Sequence, residues 1–451
     1  MLQPLSLLWM LSLGQTCGPV DLETALALAA ANGDEVAVSR AEVSAAAADL
    51  ALARAARYVP SGSALFTLGP SPEAHGTVTD PVAGSSRNPF GGLSVFARID
   101  VNAVQPLFTW GRLDAARAAA QAGLEARTLL LQDTTSQVQL RVIQLFWGEA
   151  LAHRLLDIAA EVEAKIPDAE KHIKDLLAEG SSEVSSSDQY RLDIYKAQLR
   201  RRKSEAEKGL TLAHDGLAAL VAAAPGDLRV KTVSLPAAPS TEAVEVEMAQ
   251  QLAERQRPDL AALDQAILAR SEEVKATRAA MLPQVFLGGT FAFSYAPNRD
   301  IQTNPWVGDY FNTLAFGVGL GVRQDLSFPL LFSQLSKARA ERETLERQRQ
   351  GLARLVSVQV ESAVADLTYA AERFRAATSS IKASRAWERA AGLDFEAGVG
   401  EAKALIDSFV AYTENEVELA QATYELLVVR ARYDQVTGAA PKRGVPPCRL
   451  P

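Results

Sequence analysis

The sequence predicts a mainly α-helical protein with a small antiparallel β part, built from one unit that occurs twice. Three observations carry this reading. Apolar residues recur at helical spacing over tracts far longer than the helices of an ordinary domain. Four short stretches alternate apolar with polar or small residues at period two. The order helix, β-hairpin, long helix, turn, long helix appears in both halves, offset by roughly 220 residues.

Composition agrees. Of the 451 residues 48% are hydrophobic, but much of this is alanine, as in AEVSAAAADLALARAA, which suits closely paired long helices rather than one thick core. The formal net charge of −8, with both signs mixed, excludes the basic surface of a nucleic-acid-binding protein.

At the amino terminus an apolar run from Leu5 to Leu13 is too short to span a bilayer and suits the core of a signal peptide. Residues 1–18 are therefore expected to be an export signal, although no Lys or Arg precedes the run; a buried helix end is the other reading. Cys17 follows Leu13-Gly14-Gln15-Thr16 and is a candidate lipidation site, with a threonine where such sites rarely carry one. The only other cysteine, Cys448, lies in a proline-rich tail, so the pair gives neither metal spacing nor a disulfide framework.

The elements follow in order. Asp21 caps a helix that runs to Tyr58, with a break expected at Asn32-Gly33-Asp34, and Pro60 ends it. Ser63 to Leu68 reads as a strand, and the following GPSPEAHGTVTDPVAGSSRNPFGG as a loop. From Leu93 to Ala103 the odd positions are apolar and the even ones include Arg98, Asp100 and Asn102, a strand with one wet face. The alternation stops at Gln105-Pro106, and a second helical tract is expected from about Leu107 to Glu179, disturbed at Pro167. After a turn over Gly180 to Ser187 the chain doubles back. The seam Leu192, Tyr195, Leu199, Arg202, Ala206, Leu210, Ala213, Leu217, Leu220 there is heptad-like with one stutter.

Residues 225–258 form an inter-repeat linker, and then the order repeats. A helix broken near Pro258 leads to a strand, Val285 to Tyr295, and a return strand, Leu314 to Val322, each with one apolar face. From Leu330 to Ala440 the chain is proline-free, interrupted only by a turn at Gly398 and Gly400. RAARYVP is echoed by RAAMLP, and QPLFTWGRLDAARA by QDLSFPLLFSQLSKARA. The first repeat is placed at 19–224, the second at 259–440, and a tail at 441–451.

A helix of about seventy residues rises roughly 100 Å, so it belongs in an elongated bundle or tube. Four strands of about ten residues are long enough to cross a bilayer when tilted, yet too few to close a barrel, and lipid does not tolerate open edges. Closure then needs other chains or burial against protein; a soluble sheet with an ordinary wet face is the alternative. The duplicated plan, QPLFTWGRLDAARAAAQAGLEA after the first hairpin, and FEAGVGEAKALIDSFVAYTENEVELAQATYELLVVRARYDQVTG near the end resemble the TolC-type outer-membrane efflux proteins. The resemblance spans nearly all of Asp21 to Gly438. It implies duplicated helical hairpins forming an α-barrel tunnel in the periplasm, and four strands per chain contributed to a β-barrel shared by a homotrimer. It also implies a passive exit duct joined through a periplasmic adaptor to an inner-membrane pump.

On this resemblance Asp407 matches an acidic ring that narrows the periplasmic entrance. A second acidic position, one turn earlier, is Ala404 here. The turns at Gly180, Ser181, Val399 and Gly400 match adaptor-docking tips, though glycine there is needed simply to reverse the chain. Arg98, Asp100 and Asn102 would line a water-filled lumen, since lipid would reject them. Phe108, Trp110 and Tyr58 would suit a membrane-boundary belt or core packing equally. His75, His153, His172 and His214 are scattered, and no metal, nucleotide or triad motif occurs, so neither an enzyme nor a cofactor is expected. The competing reading is a periplasmic coiled-coil structural or adaptor protein, lipid-anchored through Cys17. It leaves four bilayer-length strands unexplained.

Overall fold

The computed structural model describes residues 18–76, 92–179, 184–231, 234–236, 244–302, 304, 306, 308–397, 399–400 and 402–439. The same six elements occur twice along these residues. The first set is α1 (Leu22–Asn32), α2 (Asp34–Tyr58), β1 (Ser61–Ser71), β2 (Ser94–Phe108), α3 (Arg112–Ala178) and α4 (Ser186–Leu220). The second is α5 (Val246–Gln256), α6 (Pro258–Ala280), β3 (Gln284–Tyr295), β4 (Thr313–Arg323), α7 (Phe328–Glu396) and α8 (Ala402–Val436). Paired helices nearly match in length, 11 and 11, 25 and 23, 67 and 69, 35 and 35 residues, which marks an internal duplication.

Local chemistry explains the boundaries. The Asp21 carboxylate accepts the Thr24 N–H at 2.9 Å and caps α1; that bond holds its carboxyl below the usual range. Gly33 separates α1 from α2, where the break was expected. At the other end of α1, Arg40 donates to the carbonyls of Ala30 and Ala31. α3 continues through Pro167, which forgoes the bond to the carbonyl one turn back. The start of α3 departs from the sequence reading. β2 does not stop at Gln105 but runs to Phe108, because β3 keeps pairing with it through Leu287, Phe286 and Val285. Pro106 is tolerated since β1 begins only at Ser61, opposite Val104, so the missing N–H forfeits no bond to β1. A register shift between Pro106 and Phe108 precedes the last pair, Phe108 with Val285. Trp110 and Gly111 then turn the chain at φ 53 and 79, which glycine adopts freely and tryptophan does not.

The described residues divide into two compact units. One holds 18–43, 127–262 and 349–439, the other 44–126 and 263–348. The first unit is helical with two main cores related by the duplication. In one, α1, α3 and α4 bury Leu26, Leu28, Val138, Val142, Phe146 and Leu217. In the other, α5, α7 and α8 bury Ala249, Ala253, Val356, Val360, Leu367 and Leu426. The α4 seam is buried at Leu192, Tyr195, Leu199, Ala206, Ala213 and Leu217. Arg202 lies half-exposed on it and donates to Glu414 of α8 at 2.9 Å. The segment read as a linker carries a parallel bridge from Val230 to Val20 and then α5. Arg257, the residue between α5 and α6, is buried. It grips Asp259 through one guanidinium edge, Nη2 at 2.6 and Nε at 3.0 Å, and through Nη1 donates to Gln359 and to the Val436 carbonyl.

The second unit contains an antiparallel sheet in the order β1-β2-β3-β4. Beyond its strands, the segment after β1 and the segment after β3 tie together. The Asn298 amide donates to the carbonyls of Ser71 and Gly92. His75 lies between Glu73 at 2.8 Å and Asp300 at 3.4 Å, and Asp300 also accepts the Gly76 N–H. Glu73 first, then Asp300, raises the His75 pKa, while the Gly76 N–H and His75 lower that of Asp300.

Two outcomes follow from this geometry. Arg257→Ala leaves the mostly buried Asp259 carboxylate, 17% exposed, without its cation and should destabilise the helical unit by about 3 kcal/mol. Removing Asp259 as well should recover part of that loss, both read by denaturation of the purified protein followed by circular dichroism. The His75 tie should depend on pH. A raised imidazole pKa contributes fully below its ordinary 6.5 and is lost as pH climbs through the raised value. The lowered Asp300 carboxyl contributes above its ordinary 3.8 and is lost as pH falls through the lowered value. Protection of the Gly76 amide, its exchange rate taken relative to the intrinsic rate at each pH, should therefore be greatest between these limits, and His75→Ala should remove the loss of protection on the alkaline side.

Candidate functional site

The register brings the period-two pattern of all four strands together. Directly opposed residues share a face. One face carries Phe66 and Leu68 of β1 beside Ile99 and Ala97 of β2. Across β2 the same face continues through Phe291 and Phe293 of β3 to Phe316 and Leu314 of β4, with Val318, Leu320 and Val322 beyond. This face is apolar from edge to edge and uncovered. Phe316 is 84% exposed and Leu314 76%. A contiguous apolar surface of this kind on a protein marks a lipid or protein contact.

The opposite face is polar or small over much of β2 to β4, with Leu65 of β1, Phe96 of β2 and Phe286 of β3 as large apolar residues upon it. It holds Arg98, Asp100 and Asn102 of β2, with Ser294, Ala292 and Thr290 of β3 beside them and Thr313, Ala315 and Gly317 on β4. Arg98 and Asp100 form a bidentate pair, both bonds 2.7 Å, and Asn102 is exposed. The three residues singled out in the sequence thus share one face. Among the described residues the outer edges of β1 and β4 pair with no further strand.

Where strand passes into helix, Phe108 and Trp110 stack edge to face at 5.0 Å and remain half-exposed, and the Trp110 indole donates to the Pro283 carbonyl at 2.6 Å. That bond ties the β2–α3 junction to the α6–β3 junction of the second repeat.

At the helical turns, Gly180, Ser181 and Gly398 lie outside the described residues, as does Cys17. The turn after α7 is described at Val399 and Gly400, whose N–H groups both donate to the Asp394 carbonyl at 3.0 Å. A Cβ at Gly400 would stand 2.9 Å from the Phe395 nitrogen, so glycine is a steric need there. Val399 is 80% exposed. The next helix of the first repeat, α4, begins with Asp188 accepting the Ser185 N–H at 2.9 Å. Asp407 sits two turns into α8 with its carboxylate 3.6 Å from Arg191 of α4, both half-exposed. The sequence singled out Asp407 and missed Arg191, whose relation to it depends on how α4 and α8 pack. Beneath, Ile166, Ile173, Leu192, Phe395, Ile406 and Phe409 line an apolar cavity of about 200 Å³.

Titratable groups elsewhere do not converge on a catalytic arrangement. Burial pushes the Glu149 carboxyl up, with His214 Nδ1 3.5 Å away countering it. Among the described residues no group of three metal-ligating side chains occurs. No described helix is long and apolar enough to cross a membrane.

Comparison with known proteins agrees with this geometry. Residues 249–439 match the family described as Outer membrane efflux protein. No curated protein sequence matches the chain. Among solved structures, the outer-membrane channel OprN is similar at 18% identity and TM-score 0.73, with 93% of this chain and 90% of that one covered. The outer membrane protein VceC of Vibrio cholerae is similar at 15% identity and TM-score 0.71, covering 93% and 97%. The open state of the MtrE outer membrane channel of Neisseria gonorrhoeae is similar at 15% identity and TM-score 0.71, covering 94% and 90%. The second half of the chain thus carries the signature of the outer membrane efflux proteins, and nearly the whole chain has the fold of solved outer-membrane channels.

Proposed function

We propose that the chain is one protomer of an outer-membrane exit duct in a tripartite efflux or secretion system. Three copies close a β-barrel in the outer membrane, and their helices form a tunnel in the periplasm. The observation that carries this is the four-stranded sheet with one face apolar from edge to edge, the other mostly polar or small, and both edges unpaired among the described residues. Lipid accepts the first face, water the second, and neither accepts the edges, so the sheet is complete only when other copies continue it. In the homotrimer Arg98, Asp100 and Asn102 line the lumen. The family match over residues 249–439 supports the same reading.

The duct is passive and performs no catalysis; an inner-membrane pump selects and drives the cargo. The turns at Gly180, Ser181, Val399 and Gly400 dock a periplasmic adaptor, which the 80% exposure of Val399 supports. Asp407 supplies a carboxylate to the periplasmic entrance, partly neutralised by Arg191.

Trimeric mass and heat-modifiable mobility are expected in detergent; a monomer soluble without detergent would overturn the reading. A thiol introduced at Asp100 should react with a charged, membrane-impermeant reagent and one at Val95 should not, and equal rates would count against the barrel. The entrance assignment concerns charge. In bilayers with asymmetric KCl, Asp407→Ala should shift the reversal potential away from cation preference and Arg191→Ala toward it. An exposed pair of this kind is worth about 0–1 kcal/mol, so both variants should assemble normally. Reversal potentials identical to that of the parent would remove Asp407 from the entrance.

A further inference from the structure

We propose that Tyr310 and Phe311 form a fixed aromatic sill on the polar face of the sheet, narrowing the outer mouth of the duct and limiting the size of solute that passes. The proposal rests on the exit-duct reading, in which this face lines the lumen and the β3–β4 connection lies at the outer end.

The segment just before β4 does not continue outward from the strands but lies back on the polar face. The Tyr310 carbonyl accepts from Arg98 Nη1 at 3.1 Å and from the Ser294 hydroxyl at 2.9 Å. The Arg98 guanidinium lies 4.5 Å from the centre of the Tyr310 ring, so the residue that pairs with Asp100 also holds the aromatic in place. Phe96, on the same face, meets Tyr310 and Phe311 edge-on at 5.8 and 5.1 Å. Arg299 covers Phe311 at 4.4 Å and donates to the Pro72 carbonyl at 2.8 Å, tying the cluster to the segment after β1.

The base of the sill is fixed by close packing. Phe96 is 6% exposed because Gly69 lies opposite it on β1; a Cβ there would stand 2.8 Å from the ring. Tyr310, by contrast, keeps 55% of its surface exposed and stands out from the sheet. The neighbouring wall is low. Even positions of β3 from Gly288 to Ser294 and the odd positions of β4 on the same face, from Thr313 to Gly321, are glycine, alanine, serine or threonine throughout. Apart from Phe286, whose ring lies over Gly321 at the helix end of the sheet, bulk on this side of β3 and β4 is thus concentrated near the strand tips, and a trimer would bring three copies of it to that level.

Size-graded labelling from outside intact cells tests this independently of the periplasmic entrance. Asn102→Cys lies on the same face, four residues nearer the helices than Arg98, which is about 13 Å along a strand. A small charged maleimide should label it with or without Tyr310→Ala and Phe311→Ala. The same maleimide carried on a long polyethylene glycol should label only the chain that also has both alanines, with rates read against the parent. Arg98→Gln, which frees Tyr310 while keeping both rings, should give an intermediate rate and covers the case in which the double variant fails to form heat-modifiable trimers. Equal polymer labelling in all backgrounds overturns the sill. So does polymer exclusion that persists in the double variant, since the narrowing then lies elsewhere. If the small reagent fails to label Asn102→Cys in any background, the polar face does not line water and the exit-duct reading itself falls.

Discussion

An antiparallel sheet with two open edges cannot reside in lipid. Each edge strand, β1 and β4, is 11 residues long. About half of those residues point N–H and C=O groups outward, away from the sheet. An unsatisfied backbone group in hydrocarbon costs several kcal/mol, so each edge left open in lipid would cost on the order of tens of kcal/mol. No side-chain arrangement offsets a term of that size, and a soluble location would instead leave the apolar face in water. Closure by further copies removes both penalties at once. The need for a closed barrel is therefore a property of the backbone, with the side chains deciding only which face turns inward.

The side chains decide that clearly. Register matters because a slip of one residue would exchange the faces of a strand. Here the opposed pairs Ile99–Phe293 and Phe293–Leu314 keep apolar with apolar, while Arg98–Ser294 and Asn102–Thr290 keep polar with polar or small. Small residues line the same face of β3 and β4 from Gly288 to Ser294 and from Thr313 to Gly321. The exception is the cluster of Phe96, Arg98, Tyr310 and Phe311. It shows how one guanidinium can serve an ion pair, a carbonyl and an aromatic ring together.

The helical unit satisfies a different demand. Its cores are built from alanine, valine and leucine, which let helices of up to 69 residues approach closely along much of their length. Charged groups are placed between helices rather than inside them, as with Arg373 between Glu418 and Glu425, or Arg202 and Glu414. Such half-exposed pairs fix register more than they stabilise. The buried Arg257 is different, since it joins the α5–α6 junction to the end of α8 where no apolar residue could satisfy the Val436 carbonyl.

Much of this was legible in the sequence. Period two named three of the strands and their two faces, β1 being legible only as a short apolar segment, and the helix breaks at Gly33 and Pro258 were marked by residues whose backbone chemistry is strictly local. The duplication was visible because each repeat must encode the same caps and turns. The end of β2 was not, since Pro106 reads as a strand breaker unless one knows that β1 begins only opposite Val104. Likewise Asp407 could be picked out as a charge near a turn, but its partner Arg191 is more than two hundred residues away in the sequence. Arg98 beneath Tyr310 is the same case. Contacts between distant segments depend on registers that no local pattern states, and those the tertiary structure alone decided.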